Sequence, residues 1–236
     1  MNKPDTDDFY KTKENNINNI IVNETNYLKS ETYINKWIFT YNSDTIVSGK
    51  LFKNDELKSI FEYYLDKEKN IKEQKVSFYN KSVRNDFSHI KFEKDKNLKL
   101  LYLLDINSKL RTKIIVEEDS LHSPIKITNL SSDNEIQSKE TADYNYIANT
   151  YVYKVYNYLG EIILEKSESY NPNFIIERNE FNDITKMFWP LSKNKVVIIF
   201  EYKYDKQGNW IKRTKKRVID NKKEISSYTT RDIKYK

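Results

Sequence analysis

The chain has 236 residues, 32% of them charged, and a net charge of +6 at neutral pH, long enough for one large or two small domains with a true core. It has no Cys and three Gly, which excludes disulfides, thiolate metal sites and a Cys nucleophile and leaves most turns to Asn and Asp. Tyr 19, Phe 11 and Trp 3, against Ala only at Ala142 and Ala148, favour strands over helices.

In chain order, Met1 to about residue 31 is polar, with one apolar knot at Ile20-Ile21-Val22. It reads as a largely disordered leader carrying at most one short strand or helical turn. A single domain is expected over 32–236, with a soft boundary near 117–124. Trp37 and Phe39 alternate towards a turn at Asn42–Thr45, and Ile46 to Phe52 forms the return strand. Leu57 to Leu65 continues it, although Leu57, Ile60, Phe61 and Tyr64 also fit the i, i+3, i+4 spacing of a helix. Ile71–Tyr79 is strand-like and Asn80–Phe87 a polar connection. Ile90–Phe92, Leu98–Leu104 and Leu110–Val116 are successive strands, and Glu117–Ser123 breaks at Pro124. Ile125–Ile127 and Glu135–Ser138 follow, then an aromatic stretch at Tyr144–Asn149. Tyr151–Tyr156 and Ile162–Ser167 form a clear hairpin. Phe174–Glu177, Ile184–Trp189, Val196–Tyr204, Trp210–Ile219 and Ile225–Thr230 complete the chain. Turn signals every ~10–14 residues are the rhythm of an antiparallel all-β protein, because parallel crossovers need longer connections.

The strongest hairpin is Phe200 to Arg213. Phe200, Tyr202 and Tyr204 alternate with charged residues, Asp205 opens a turn, and Gly208 supplies positive φ before Asn209. Trp210 starts the return strand, with Lys212 expected on its face and Arg213 on the other. The same template, an Asx, two loop residues, a Gly-like position, a polar and then an apolar residue, recurs at 66–71, 105–110, 157–162 (Asn157, Gly160) and 179–184. Looser copies lie at 42–47 and 220–225. Lys69, Ser108 and Lys223 hold the Gly-like position in three copies, so those turns are expected to be of another type. Neighbouring copies ~20–26 residues apart suit a repeat architecture.

Tyr204-Asp205-Lys206-Gln207-Gly208-Asn209-Trp210-Ile211-Lys212-Arg213 resembles the signature of the YD-type (rearrangement-hotspot-like) repeats of bacterial proteins. Asn179-Glu180-Phe181-Asn182-Asp183-Ile184 resembles a degenerate copy, so the resemblance is good over 179–213 and faint elsewhere. It implies strand-turn-strand units stacked into an extended sheet, in proteins that are mostly extracytoplasmic or belong to toxin-related systems. It implies no catalytic residues.

His89 and His122, the only histidines, have no metal-ligand spacing and are expected on the surface or in turns. No nucleophile elbow or phosphate-binding glycine loop is present, so no catalytic residue, metal or cofactor is expected and the chain is read as a non-enzyme. Residues 201–236 hold 12 Lys/Arg against 5 Asp/Glu, which points this end at an acidic partner. Nucleic acid is the lesser reading of the Trp210–Arg217 run, since its aromatics occupy positions that would build a core. The candidate binding residues are Tyr202, Tyr204, Trp210, Trp189, Lys212 and Arg213.

The expectation is therefore an all-β antiparallel meander of repeated hairpins, forming a long curved sheet or open half-barrel. Its expected function is to bind another protein, as an accessory or immunity protein of a bacterial toxin system. The alternative is a cell-envelope protein binding surface glycan or peptidoglycan. No stretch reaches the ~18 apolar residues of a membrane span, and Met1–Lys13 lacks a signal-peptide core. The expected location is cytoplasmic as the sequence stands, or periplasm or cell surface if an upstream signal has been removed.

Overall fold

In the structure, a computed structural model, residues 9–12, 16–28, 31–81, 83–169, 175–188 and 196–236 are described. They form no helix; the chain is an all-β antiparallel meander, and its strands belong to one sheet. Among the described residues, no helix is long and apolar enough to cross a membrane. The chain divides into two compact units. A terminal unit holds Asn2–Lys69, Ser77–Asp86 and Asn173–Lys236, and a middle unit holds Asn70–Val76 and Phe87–Pro172.

The chain begins with β1 (Ile17–Tyr27), β2 (Thr32–Ser43), β3 (Ile46–Lys53) and β4 (Glu56–Leu65). Strands β5 (Ile71–Asn80) and β6 (Val83–Asp95) contribute residues to both units. The middle unit continues with β7 (Leu98–Leu104), β8 (Leu110–Glu118), β9 (Pro124–Ser131), β10 (Ile136–Asn145), β11 (Thr150–Tyr156) and β12 (Ile162–Ser169). The chain returns through β13 (Ile175–Arg178), β14 (Ile184–Phe188), β15 (Val197–Tyr204), β16 (Trp210–Ile219) and β17 (Lys222–Tyr235). In the terminal unit the spatial order runs from β13 through β14, β15, β16 and β17 to β1, then on to β2, β3 and β4.

Among the described residues, six turns share one geometry. In each, the residue opening the turn accepts backbone N–H bonds from two and four residues ahead on its side-chain oxygen: Asp105, Asp119, Ser131, Asn157, Asn179 and Asp205. Three residues on, Ser108, His122, Asn134, Gly160, Asn182 and Gly208 have φ of 61–83°. These are type I turns closed by a left-handed residue, the usual three-residue hairpin loop. The reversal expected at Asp205–Asn209 is one of them. Lys69 and Ser108 also take positive φ, 64° and 63°, so the expectation that they mark another turn type is corrected. The side chain that organises the turn sits at its first position, and that suffices to hold even Ser in the left-handed region. Asn54–Asp55 and Asp220–Asn221 are instead two-residue turns with positive φ at both positions.

Three further expectations give way, and one competing reading is set aside. The polar leader contains β1, an eleven-residue strand paired with both β17 and β2 and carrying Ile17, Ile20 and Val22 at 0–1% exposure. Phe9 and Tyr10 are also buried, Phe9 against Trp37 with ring centroids 4.8 Å apart. Burial of one face outweighs the polar composition of the other. The stretch 56–65 is β4, the strand expected there and not the helix its spacing also fits, with Ser59, Phe61 and Leu65 buried at period two through pairing with β3. The polar connection 80–87 is mostly strand, the ends of β5 and β6 meeting near Lys81. His89, expected at the surface, is 3% exposed, with its Nε2 2.8 Å from Glu73 Oε1. That carboxylate satisfies the polar edge of the ring, whereas His122 is a turn residue as expected.

Candidate binding cleft

A cleft of about 430 Å³ lies wholly within the terminal unit. Tyr202 of β15 and Trp210 and Arg213 of β16 form one wall, with Gly208 and Asn209 of the turn between them. Phe181 and Asp183 of the preceding turn, Arg178, Lys11 and Arg231 complete it.

The wall exists because of how the hairpin turns are built. After each turn of the six, the return strand carries one extra residue; in the β15–β16 pair Tyr204 faces Trp210 while Lys203 faces Lys212, which leaves Ile211 as the bulge. The bulge resets the alternation, so Arg213 joins the face of Trp210 and Lys212 leaves it. The expected facing is therefore corrected: Lys212 is exposed and outside the cleft, and the Arg213 guanidinium lies 5.3 Å from the Trp210 ring centroid. Arg231 of β17 lies 4.4 Å from the same ring. Both distances are within cation–π range.

The two turns beside the cleft are tied together by tyrosine hydroxyls. Tyr204 donates to Asp183 Oδ2 at 2.7 Å and accepts from Asn179 Nδ2 at 2.6 Å, while its ring stacks on Phe181 with centroids 4.1 Å apart. Tyr235 repeats the arrangement one hairpin on, donating to Asp205 and accepting from Asn209 Nδ2 at 3.0 Å. In the Tyr204–Asp205 pair, then, the tyrosine anchors the previous turn and the aspartate builds its own. Tyr204 and Asp205 thus act as scaffold beside the cleft. Asn157 and Gly160 build the corresponding turn of the middle unit. Trp189 lies outside the described residues.

The electrostatics of the wall are lopsided. Arg213 and Arg231 are 3% and 5% exposed. Arg213 has Glu24 at 3.8 Å; sheet register sets Arg213 beside Thr229 and Thr229 beside Glu24, and the fully buried Thr229 leaves room for the pair to meet. Arg231 donates to the carbonyls of Lys11 at 3.0 Å and Trp210 at 3.4 Å, and its Nε has no hydrogen-bond partner among the described residues. Burial pulls its pKa down to about 10, with the Arg213 charge adding to the fall. Burial also pushes the Tyr202 hydroxyl up to about 12, and that hydroxyl donates to Ile184 O at 3.1 Å. Sequence reasoning reached Tyr202, Trp210 and Arg213 but missed Lys11, Arg178, Phe181, Asp183 and Arg231. The aromatic pair Phe9-Tyr10 within a polar stretch was the available signal for the N-terminal part.

Among the described residues, no group of His, Cys, Asp or Glu could hold a metal ion. No family model matches the chain, and no curated protein matches it. Among solved structures, the chain is similar to a porin-like protein from Bacteroides uniformis, with 12% identity over 93% of this chain and 97% of that one and a TM-score of 0.37. It is also similar to a putative outer membrane lipoprotein-sorting protein domain from Vibrio parahaemolyticus, with 11% identity over 64% of this chain and 85% of that one and a TM-score of 0.21.

Proposed function

We propose that the chain is a non-enzymatic module that binds another protein through the cleft of its terminal unit. The observation that carries this reading is the cleft itself, an open recess of about 430 Å³ in which Phe181, Tyr202 and Trp210 stand beside Arg178, Arg213 and Arg231. Aromatic and Arg side chains are the residue types that dominate protein-binding energetics. Tyr202 and Trp210 pack edge to face, with centroids 6.3 Å apart, so they offer an ordered surface with little entropy left to lose.

The test is capture of a partner from the source cell, followed by measured affinity of the purified pair. Phe181→Ala and Tyr202→Ala, each verified to fold by circular dichroism, are expected to weaken that affinity at least tenfold, as loss of an interface anchor does. Tyr158→Ala, 70% exposed in the middle unit, is expected to leave it unchanged. Unaltered affinity in both cleft variants would refute the reading. If the partner is a toxin encoded next to this chain, the accessory or immunity role follows.

A further inference from the structure

We propose that the cleft is a carboxylate-binding site, in which Arg231 receives an Asp or Glu side chain from an acidic segment of the bound protein and Arg178 meets it at the mouth. This rests on the protein-binding reading above and names the chemistry of its ligand.

Buried polar groups in native proteins find partners, so a buried strip without them calls for an explanation such as water or a ligand. The inward face of β17 is such a strip. Ser227, Thr229 and Arg231 are 2%, 0% and 5% exposed, and the Ser227 Oγ, Thr229 Oγ1 and Arg231 Nε have no hydrogen-bond partner among the described residues. Of the three, Arg231 lines the cleft.

A guanidinium presents five N–H groups in a fixed plane. Arg231 directs one of them to each of two backbone carbonyls, which leaves three, including the Nε–H, for an acceptor from the cleft. No carboxylate lies within ion-pair distance of Arg231 among the described residues, although Glu24 serves Arg213. A buried charge in that position is held at a cost until an anion arrives, and a carboxylate matches the guanidinium edge with two parallel bonds.

The rest of the lining points the same way. Among the described residues lining the cleft, Arg178 and Arg231 stand with one carboxylate, Asp183, whose Oδ2 already accepts the Tyr204 hydroxyl. Arg178 is exposed and donates one bond, to Asn182 O at 2.6 Å, so the rest of its fork is open to an incoming group. The Asp183 charge in the wall disfavours a phosphate dianion more than a carboxylate monoanion. A volume of about 430 Å³ admits a side chain and its flanking backbone, since a water occupies ~30 Å³. It does not admit a folded domain, so the ligand enters as an extended segment.

The experiment is calorimetric titration of the full chain, at low ionic strength, with a tetraglutamate peptide, a tetraglutamine peptide and inorganic phosphate. Tetraglutamate is expected to bind, and to weaken as salt rises. Tetraglutamine and phosphate are expected to bind at least tenfold more weakly, the loss that follows from removing a charge-assisted hydrogen bond. Arg231→Gln is expected to lose at least tenfold in tetraglutamate affinity, and Arg178→Gln about threefold to tenfold. Arg178 is exposed, so Arg178→Gln decides the matter if Arg231→Gln does not fold. Absence of tetraglutamate binding, equal binding of phosphate, or full affinity in the folded Arg variants overturns the carboxylate site. If affinity for the purified partner then still falls in Phe181→Ala, protein binding through the cleft stands without it.

Discussion

At the scale of single residues, the turns set the terms. The left-handed region disfavours L residues with a side chain by about 1–2 kcal/mol, yet Lys69 and Ser108 occupy it with φ of 64° and 63°. Lys69→Gly and Ser108→Gly are each expected to raise unfolding free energy by about 1 kcal/mol in chemical denaturation, the strain relieved less the entropy glycine adds to the unfolded chain. Gly49 constrains the sheet in the opposite sense. A Cβ there would lie 2.3 Å from the Ile38 carbonyl oxygen and 2.5 Å from Phe61 Cζ, and Phe61 is buried with its ring 5.4 Å from that of Phe39. Gly49→Ala is therefore expected to lower stability by about 1–3 kcal/mol, as overpacking does, and a wild-type melting profile would contradict the contact. Alkaline pH probes the tyrosines. Burial pushes Tyr202 up to about 12, and burial with the bond to Asp183 raises Tyr204 as well. Unfolded tyrosines titrate near ~10, so the native state holds these protons more tightly. The stability they confer is complete below that value and is lost as pH rises through about 12. Tyr202→Phe is expected to flatten that alkaline loss, measured as denaturation midpoint against pH.

At the scale of elements, the hairpins were legible and the strand that joins the chain ends was not. Asx at the opening of a turn and Gly or Asn three residues on have local consequences, so the turns at Asn157, Asn179 and Asp205 could be read directly, while at Asp105 the turn was read but Ser108 hid its type. Those at Asp119 and Ser131 share the geometry, but His122 and a Ser opener hide the pattern. The facing of Arg213 was illegible for a related reason, because an extra strand residue reverses every later inward and outward assignment. β1 was missed because its signal is non-local: Asn18 and Asn19 separate Ile17 from Ile20 across a register shift, and only pairing with β17 and β2 reveals that Ile17, Ile20 and Val22 face inward. Ile20→Ala is accordingly expected to destabilise the terminal unit by about 2–5 kcal/mol, the range for deleting a buried aliphatic side chain. Ile163→Ala, at a position 64% exposed in β12, should change little. Similar losses for the two would mean that β1 is not part of the core in solution.

At the scale of the whole molecule, burial is unequal. Among the described residues, every buried apolar side chain, from Phe9 and Tyr10 through Ile17, Phe39 and Phe61 to Met187, Ile198 and Phe200, belongs to the terminal unit. The residues of the middle unit buried to that degree are His89, Glu118, Ser123 and Thr128, while its Ile106, Leu121, Ile136, Ile147 and Leu159 are more than half exposed. Apolar burial contributes roughly 25 cal/mol for each Å² removed from water, so the middle unit has far less of the term that resists opening. Its backbone ladders are as regular as those of the terminal unit, but a hydrogen bond exchanged against water adds only about 1 kcal/mol net. Local opening free energies follow buried apolar contact. In native-state hydrogen exchange, amides of β7–β12 are therefore expected to exchange through openings of lower free energy than those of β1, β15, β16 and β17. The difference should persist when denaturant is added, until the β1–β17 pairing itself is lost. Equal protection in the two sets of strands would show that something other than the buried apolar side chains of this chain holds the middle unit closed.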